Sequence, residues 1–135
     1  MLSRRYLGGA HLNQELPRKK CILIVDDERR IGRILTLNLT LSGYEAISVT
    51  SGAEALEIAE AQKPDLMLLD IIMPDMNGFQ VLERLRSFSK LPVIAFSAGS
   101  ENGPKALELG DNGFVGKPFK VHDMVMRVKR ILEDV

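Results

Sequence analysis

Five polar residues in the 135-residue chain follow or close short aliphatic runs, and together their side chains suit one kind of chemistry. Asp26 and Asp27 follow CILIV, Asp70 closes DLMLLD, Ser97 closes PVIAFS and Lys117 closes GFVGK. Three carboxylates a few ångströms apart repel by about 4 kcal/mol per close pair at an effective dielectric near 20, so the cluster calls for a cation. An all-oxygen site suits Mg²⁺, held by Asp27 and Asp70, by Asp26 directly or through water, and by a backbone carbonyl. An ammonium and a hydroxyl beside one carboxylate would then complete the surroundings of a phosphoryl group on that carboxylate. Metal and Lys117 would meet its charge and Ser97 one of its oxygens, with Asp70 the central candidate. Each piece alone has a bland explanation, since paired acids at a strand end are commonly a solvated helix N-terminus. Their conjunction at four strand ends carries the weight.

The elements that would position these residues alternate in type along the chain. CILIV (21–25), YEAISVT (44–50), DLMLLD (65–70), PVIAFS (92–97) and GFVGK (113–117) are strand-like runs. Between them lie amphipathic stretches. Residues 28–42 carry an apolar stripe of Ile31, Ile34, Leu35, Leu39 and Leu41 with Asn38 on it, ended by Gly43. Ser51 with Glu54 predicts a capping box for a helix running to Pro64. After the turn-rich Met73–Gly78, Phe79, Leu82 and Leu85 fall at helical spacing. Gly99, Gly103 and Pro104 leave only Lys105–Leu109 as a short fourth helix, and residues 120–134 close the chain as an amphipathic one. The expectation is (βα)5, a doubly wound five-stranded parallel sheet of flavodoxin-like type with a short or partly unwound fourth helix. In such a sheet the carboxyl ends of the strands, where the five residues gather, form the ligand-binding edge.

Composition limits the alternatives. A 45% hydrophobic, 27% charged chain of this length makes about one soluble domain. One cysteine, Cys21, excludes an internal disulfide and reads as an inert core thiol, and no apolar run approaches the roughly 20 residues of a bilayer span. The opening residues lack the apolar core of a secretory signal, so a cytoplasmic location is expected. Residues 1–20 carry five basic and one acidic side chain, and residues 21–135 carry 13 and 17, so the net charge of zero divides into +4 and −4. Residues 1–19 read as a tail or linker ahead of a domain spanning 20–135. That mildly acidic domain, without Trp, has no footprint for direct nucleic-acid binding.

These residues resemble the receiver domains of bacterial two-component response regulators, over about Lys20–Val135. The likeness rests on Asp26-Asp27, the segment from Leu68 to Gly78 (LLDIIMPDMNG), Ser97-Ala98 and Lys117-Pro118-Phe119. It implies that Asp70 is the phosphoacceptor, Asp26 and Asp27 the Mg²⁺ acids and Ile72 the residue lending its carbonyl to the metal. It further implies Ser97 as the switch hydroxyl, Phe114 as a rotating aromatic and Lys117 as the phosphate-binding lysine. The donor would be the phosphohistidine of a sensor histidine kinase or a phosphotransfer protein, the output partner is left open, and no membrane is involved. Such a chain is no enzyme beyond its own phosphotransfer and dephosphorylation.

Two departures from the family pattern stand out. The 20 positions from Ser97 to Lys117 are fewer than in many members and include Gly103-Pro104, and Asn112-Gly113 replaces an acidic pair with a turn signal. Two other readings compete. The chain can be one receiver cut from a transcription factor, hybrid kinase or cyclic-dinucleotide enzyme. A Mg²⁺-dependent aspartyl-phosphate hydrolase of the haloacid dehalogenase kind would need a second Asp two positions after the first, where this chain has Ile72. A flavodoxin-like cofactor binder is disfavoured because Asp26-Asp27-Glu28 would repel a phosphate. His122 reads as a surface residue, and Met67, Met124 and Met126 as packing.

Overall fold

A computed structural model describes residues 4–7, 10–15 and 18–133. In chain order the elements are β1 (Arg4–Leu7), β2 (Ala10–Glu15), β3 (Cys21–Val25), α1 (Arg29–Leu41), β4 (Glu45–Val49), α2 (Gly52–Gln62), β5 (Leu66–Asp70), α3 (Gly78–Arg86), β6 (Val93–Ser97), α4 (Asn102–Glu108), β7 (Phe114–Gly116) and α5 (Val121–Leu132). The expected (βα)5 unit is β3 to α5. Within the stretch read from sequence as a tail, β1 and β2 pair antiparallel as a separate two-stranded sheet.

The five-stranded sheet is parallel in the order β4-β3-β5-β6-β7. Strands β3, β5 and β6 are buried at every position, which requires helices on both faces and explains their unbroken apolar runs. Side chains alternate between the faces. Ile22, Ile24, Leu66, Leu68, Ile94 and Phe96 meet α1 and α5, whereas Leu23, Val25, Met67, Leu69 and Val93 meet α2 and α3. A smaller cluster of Ile71, Ala95 and Ala106, flanked by Phe79 and Phe114, seats α4. Each fully buried Leu or Ile contributes about 1.5–3 kcal/mol of transfer free energy, so these two layers fix the strand order and register. Val25 pairs with Leu69, Asp70 with Phe96, and Ser97 with Gly116, which brings the strand ends level. Strand order reverses at β3, leaving a crevice between the ends of β3 and β5.

Local chemistry accounts for most boundaries and for several corrections. Gly43 takes φ +98° just past Ser42, the C-cap of α1, as a helix-ending glycine should. The buried stripe of α1 is narrower than expected. Gly32, Leu35 and Leu39 are buried, but Ile34 and Leu41 are exposed, because they lie about 100° or more around the helix from Leu35. Ser51 accepts from the Glu54 N–H at 3.2 Å, whereas the complete capping box is at α3, where Asn77 and Gln80 bond each other's backbone. Helix α4 starts three residues before the predicted Lys105. Gly103 and Pro104 fall in its first turn, where N–H groups have no intrahelical acceptor and a proline forfeits nothing. Asn112-Gly113 is not the turn. Gly110 carries the positive φ of +104°, and the Asn112 side chain accepts from Val93 N at 2.8 Å and Arg86 Nη2 at 3.3 Å.

Among the methionines, Met67 and Met124 are buried, while Met126 is exposed. His122 is exposed and Cys21 buried, as expected. The C-terminal end of α5 is strapped to the start of β4 by Tyr44, whose hydroxyl donates to the Glu133 carboxylate. The final predicted helical residue, Asp134, lies outside the described residues. Among the described residues, no helix is long and apolar enough to cross a membrane.

Candidate functional site

The site is built at the crevice from the residues that end the strands. Asp26 follows β3 directly and Asp70 is the last residue of β5. Both are buried, at 1% and 2% exposure, while Asp27 faces solvent. Carboxylate oxygens of Asp26, Asp27 and Asp70 lie within 4.8 Å of one another. Lys117, just past β7, places its Nζ 3.4 Å from Asp70 Oδ2 and 3.6 Å from Asp26 Oδ2, and 5.2 Å from the centre of the Phe96 ring. Its backbone is anchored by donating to the Ser97 carbonyl at 2.8 Å, and the Lys117–Pro118 peptide is cis.

Backbone donors orient both buried acids. Asp26 Oδ1 accepts from Glu28 N at 2.8 Å and Asp70 Oδ1 from Ile72 N at 3.2 Å, each an acid bonding the N–H two residues on. The turn after β5 is closed by Gly78 N donating to Ile71 O at 2.8 Å. A Cβ on Gly78 would lie 2.5 Å from the Asp70 carbonyl oxygen and 2.6 Å from Ile71 Cα, so only glycine lets α3 start this close to the strand end.

Burial dominates the electrostatics of both acids. It pushes Asp70 up to about 7, with the Asp26 charge adding to the rise and Lys117 and the Ile72 N–H opposing it. Asp26 is raised too, first by burial, against the Glu28 N–H and Lys117. One ammonium therefore faces two buried carboxylates and cannot neutralise both. Asp26 Oδ2 has no hydrogen-bond partner. This surplus of negative charge and the all-carboxylate donor set fit a hard divalent cation.

The remaining predicted residues lie around this cluster. Ser97, the last residue of β6, is fully buried, and its Oγ accepts from Asn102 Nδ2 at 2.8 Å and from Gly99 N at 3.3 Å. Phe114 is half-buried against Ile71, Ala95 and Ala106, below Gly103, and so stands on the α4 side of β7. Ile72 has an exposed side chain and contributes its N–H to Asp70. It supplies no acid two positions after Asp70. Asn102 was not anticipated, because a single Asn between Glu and Gly carries no periodic signal.

A doubly wound parallel domain with an acidic crevice at its order reversal, closed by one lysine, is of the receiver type. The response regulator receiver domain family matches residues 22–129, and the chain belongs to that family. It is 41% identical over 116 residues to the "Alkaline phosphatase synthesis transcriptional regulatory protein PhoP" of Bacillus subtilis, covering 84% of this chain and 48% of that protein. It is 40% identical over 110 residues to the "Transcriptional regulatory protein KdpE" of Mycobacterium tuberculosis, covering 80% and 49%. The chain thus spans about half the length of these curated relatives. Among solved structures, the CheY-like response regulator receiver domain protein of Methanospirillum hungatei superposes with a TM-score of 0.81 at 29% identity, covering 87% of this chain and 96% of that one.

Proposed function

We propose that Asp70 is the phosphoacceptor of this receiver domain and takes its phosphoryl group from the phosphohistidine of a sensor histidine kinase or a phosphotransfer protein. The observation that carries the reading is the convergence of Asp26, Asp27, Asp70 and Lys117 at the point where strand order reverses. An Asp70 carboxylate oxygen attacks phosphorus, the P–N bond to the donor histidine breaks, and an acyl phosphate is left on Asp70. Attack requires the ionised carboxylate, which burial disfavours. Lys117 opposes that penalty and remains beside the added phosphoryl oxygens. A Mg²⁺ ion held by Asp26, Asp27, Asp70 and the Ile72 carbonyl would, when bound, supply the further positive charge that phosphoryl transfer needs. Ser97 then donates its hydroxyl proton to one phosphoryl oxygen, and Phe114 moves inward into the space it vacates. The chain acts on itself alone in phosphotransfer and dephosphorylation.

The donor would approach beside an apolar groove of about 400 Å³ lined in part by Ile31, Ile34, Pro118 and Phe119, with Lys117 at its edge. The relatives named above are transcriptional regulators about twice as long as the matched segment. We therefore read this chain as the receiver module of a cytoplasmic regulator whose DNA contacts, if it has them, lie outside residues 20–135. Incubation with acetyl phosphate and Mg²⁺, followed by intact-mass measurement, tests the proposal. A gain of one phosphoryl group in the native chain and none in Asp70→Asn is expected, and equal modification of both would refute it.

A further inference from the structure

Ser97 Oγ is fully enclosed, and two donors already occupy it: Asn102 Nδ2 at 2.8 Å and Gly99 N at 3.3 Å. A serine hydroxyl has two acceptor lone pairs and one proton, so with both acceptor positions used only the proton is left to give. Asn102 is the first residue of α4, a helix of seven residues. Its start is weakly held, because Glu101 makes no side-chain cap. The Asn102 amide therefore ties the beginning of this short helix to the end of β6. On the other side of the same turn, the Phe114 ring lies 3.3 Å from where a Cβ on Gly103 would sit, so movement at the helix start is felt at that ring.

We propose that Asn102 is a positioning residue of the switch, a latch that holds the Ser97 hydroxyl toward α4 in the unphosphorylated protein. When a phosphoryl group on Asp70 draws the hydroxyl toward itself, the Asn102 bond is given up and the start of α4 is freed to shift. The inference rests on the reading of Ser97 as the hydroxyl that meets the phosphoryl group. One side-chain hydrogen bond of this kind biases a two-state equilibrium by about 2- to 10-fold. Asn102 would thus set how readily the unmodified chain visits its active arrangement and would carry the change at Ser97 to the α4 face.

The test is a double-mutant cycle on the 135-residue chain, with beryllofluoride plus Mg²⁺ as the probe and ¹⁹F NMR titration as the readout. Asn102→Leu removes the amide at similar volume, and Asn102→Ala serves the same purpose if the leucine variant does not fold. The expected result is about 2- to 10-fold tighter beryllofluoride binding with Ser97 present, and no change when Asn102 is replaced in a Ser97→Ala background. Amide exchange over residues 102–108 should already be fast in the Asn102 variant without the mimic, and should become so in the native chain only with it. An Asn102 effect of equal size in both backgrounds, or no effect in either, overturns the latch while leaving the role of Ser97 intact. If Ser97→Ala alone binds beryllofluoride as well as the native chain does, the reading of Ser97 fails, and the latch fails with it.

Discussion

Replacing Asp111 with Asn should stabilise the protein by an amount that grows steeply between pH 4 and pH 7. Asp111 lies in the connection between α4 and β7 at 7% exposure, and its Oδ2 is buried with no hydrogen-bond partner. The nearby Arg86 guanidinium is engaged elsewhere: it donates to the Gly110 carbonyl at 2.8 and 3.1 Å, to the Ser89 carbonyl at 3.2 Å and to Asn112 Oδ1 at 3.3 Å. Burial consequently pushes the Asp111 carboxyl up to about 6, and the Arg86 charge offsets this only in part. Because the folded value lies above the ordinary 3.8, the folded state binds more protons than the unfolded one in that interval. Stability attributable to this group is then full below about pH 4 and falls as the pH rises through about 6. A shift of about two units at 1.36 kcal/mol per unit gives a cost of about 3 kcal/mol at pH 7, and an amide carries none of it. The new amide can leave an unsatisfied donor of its own, but that penalty does not vary with pH. Urea unfolding of both proteins at pH 4, 5, 6 and 7 should show the difference between them widening by about 2 to 3 kcal/mol. Parallel stability curves for the two proteins would refute the reasoning.

Asp26→Asn should raise stability in chelator at pH 8 by about 1 to 2 kcal/mol, because it removes a buried carboxylate that burial itself pushes up and whose charge pushes Asp70 up. In the native chain without metal, stability should fall as the pH climbs from about 4 through the Asp70 value of about 7, and the variant should flatten that slope. The same substitution should shrink the stabilisation gained from Mg²⁺, and an unchanged midpoint in chelator would count against the crowded-carboxylate account. Gly78→Ala should cost about 1 to 3 kcal/mol and slow phosphorylation, since its Cβ would meet the backbone of Asp70 and Ile71, which cannot swing away. Thermal melts and acetyl phosphate kinetics check it, and a variant with native values in both would show that the turn has room to spare.

What the amino-acid order reveals depends on how local its physical cause is. The acidic pair, Asp70 and Ser97 are legible because each ends or follows a buried apolar run, Lys117 because it follows the short edge strand β7, and the parallel register then brings the run ends level. The start of α4 is hard to read from sequence because Gly103 and Pro104 disfavour a helix interior, whereas in a first turn their cost largely disappears. Asn112 looked like half of a turn, yet its side chain is fixed by Arg86 and Val93, which stand 26 and 19 residues away. The exposure of Ile34 and Leu41 reflects how narrow a stripe of α1 the sheet can cover, a property of the packing partner rather than of the helix. Asn102 gave no signal at all, since its significance comes from where β6 delivers Ser97.

The central claim is that Asp70, and no other carboxylate in the crevice, carries the phosphoryl group. An acyl phosphate is reduced by borohydride to a primary alcohol, so the modified aspartate becomes homoserine and can be placed by peptide sequencing in a mass spectrometer. After phosphorylation with Mg²⁺ and acetyl phosphate, the account predicts homoserine at position 70, with Asp26, Asp27 and Asp111 unchanged. Homoserine at position 26 or 27, or none anywhere in a chain that has gained a phosphoryl group, would contradict it.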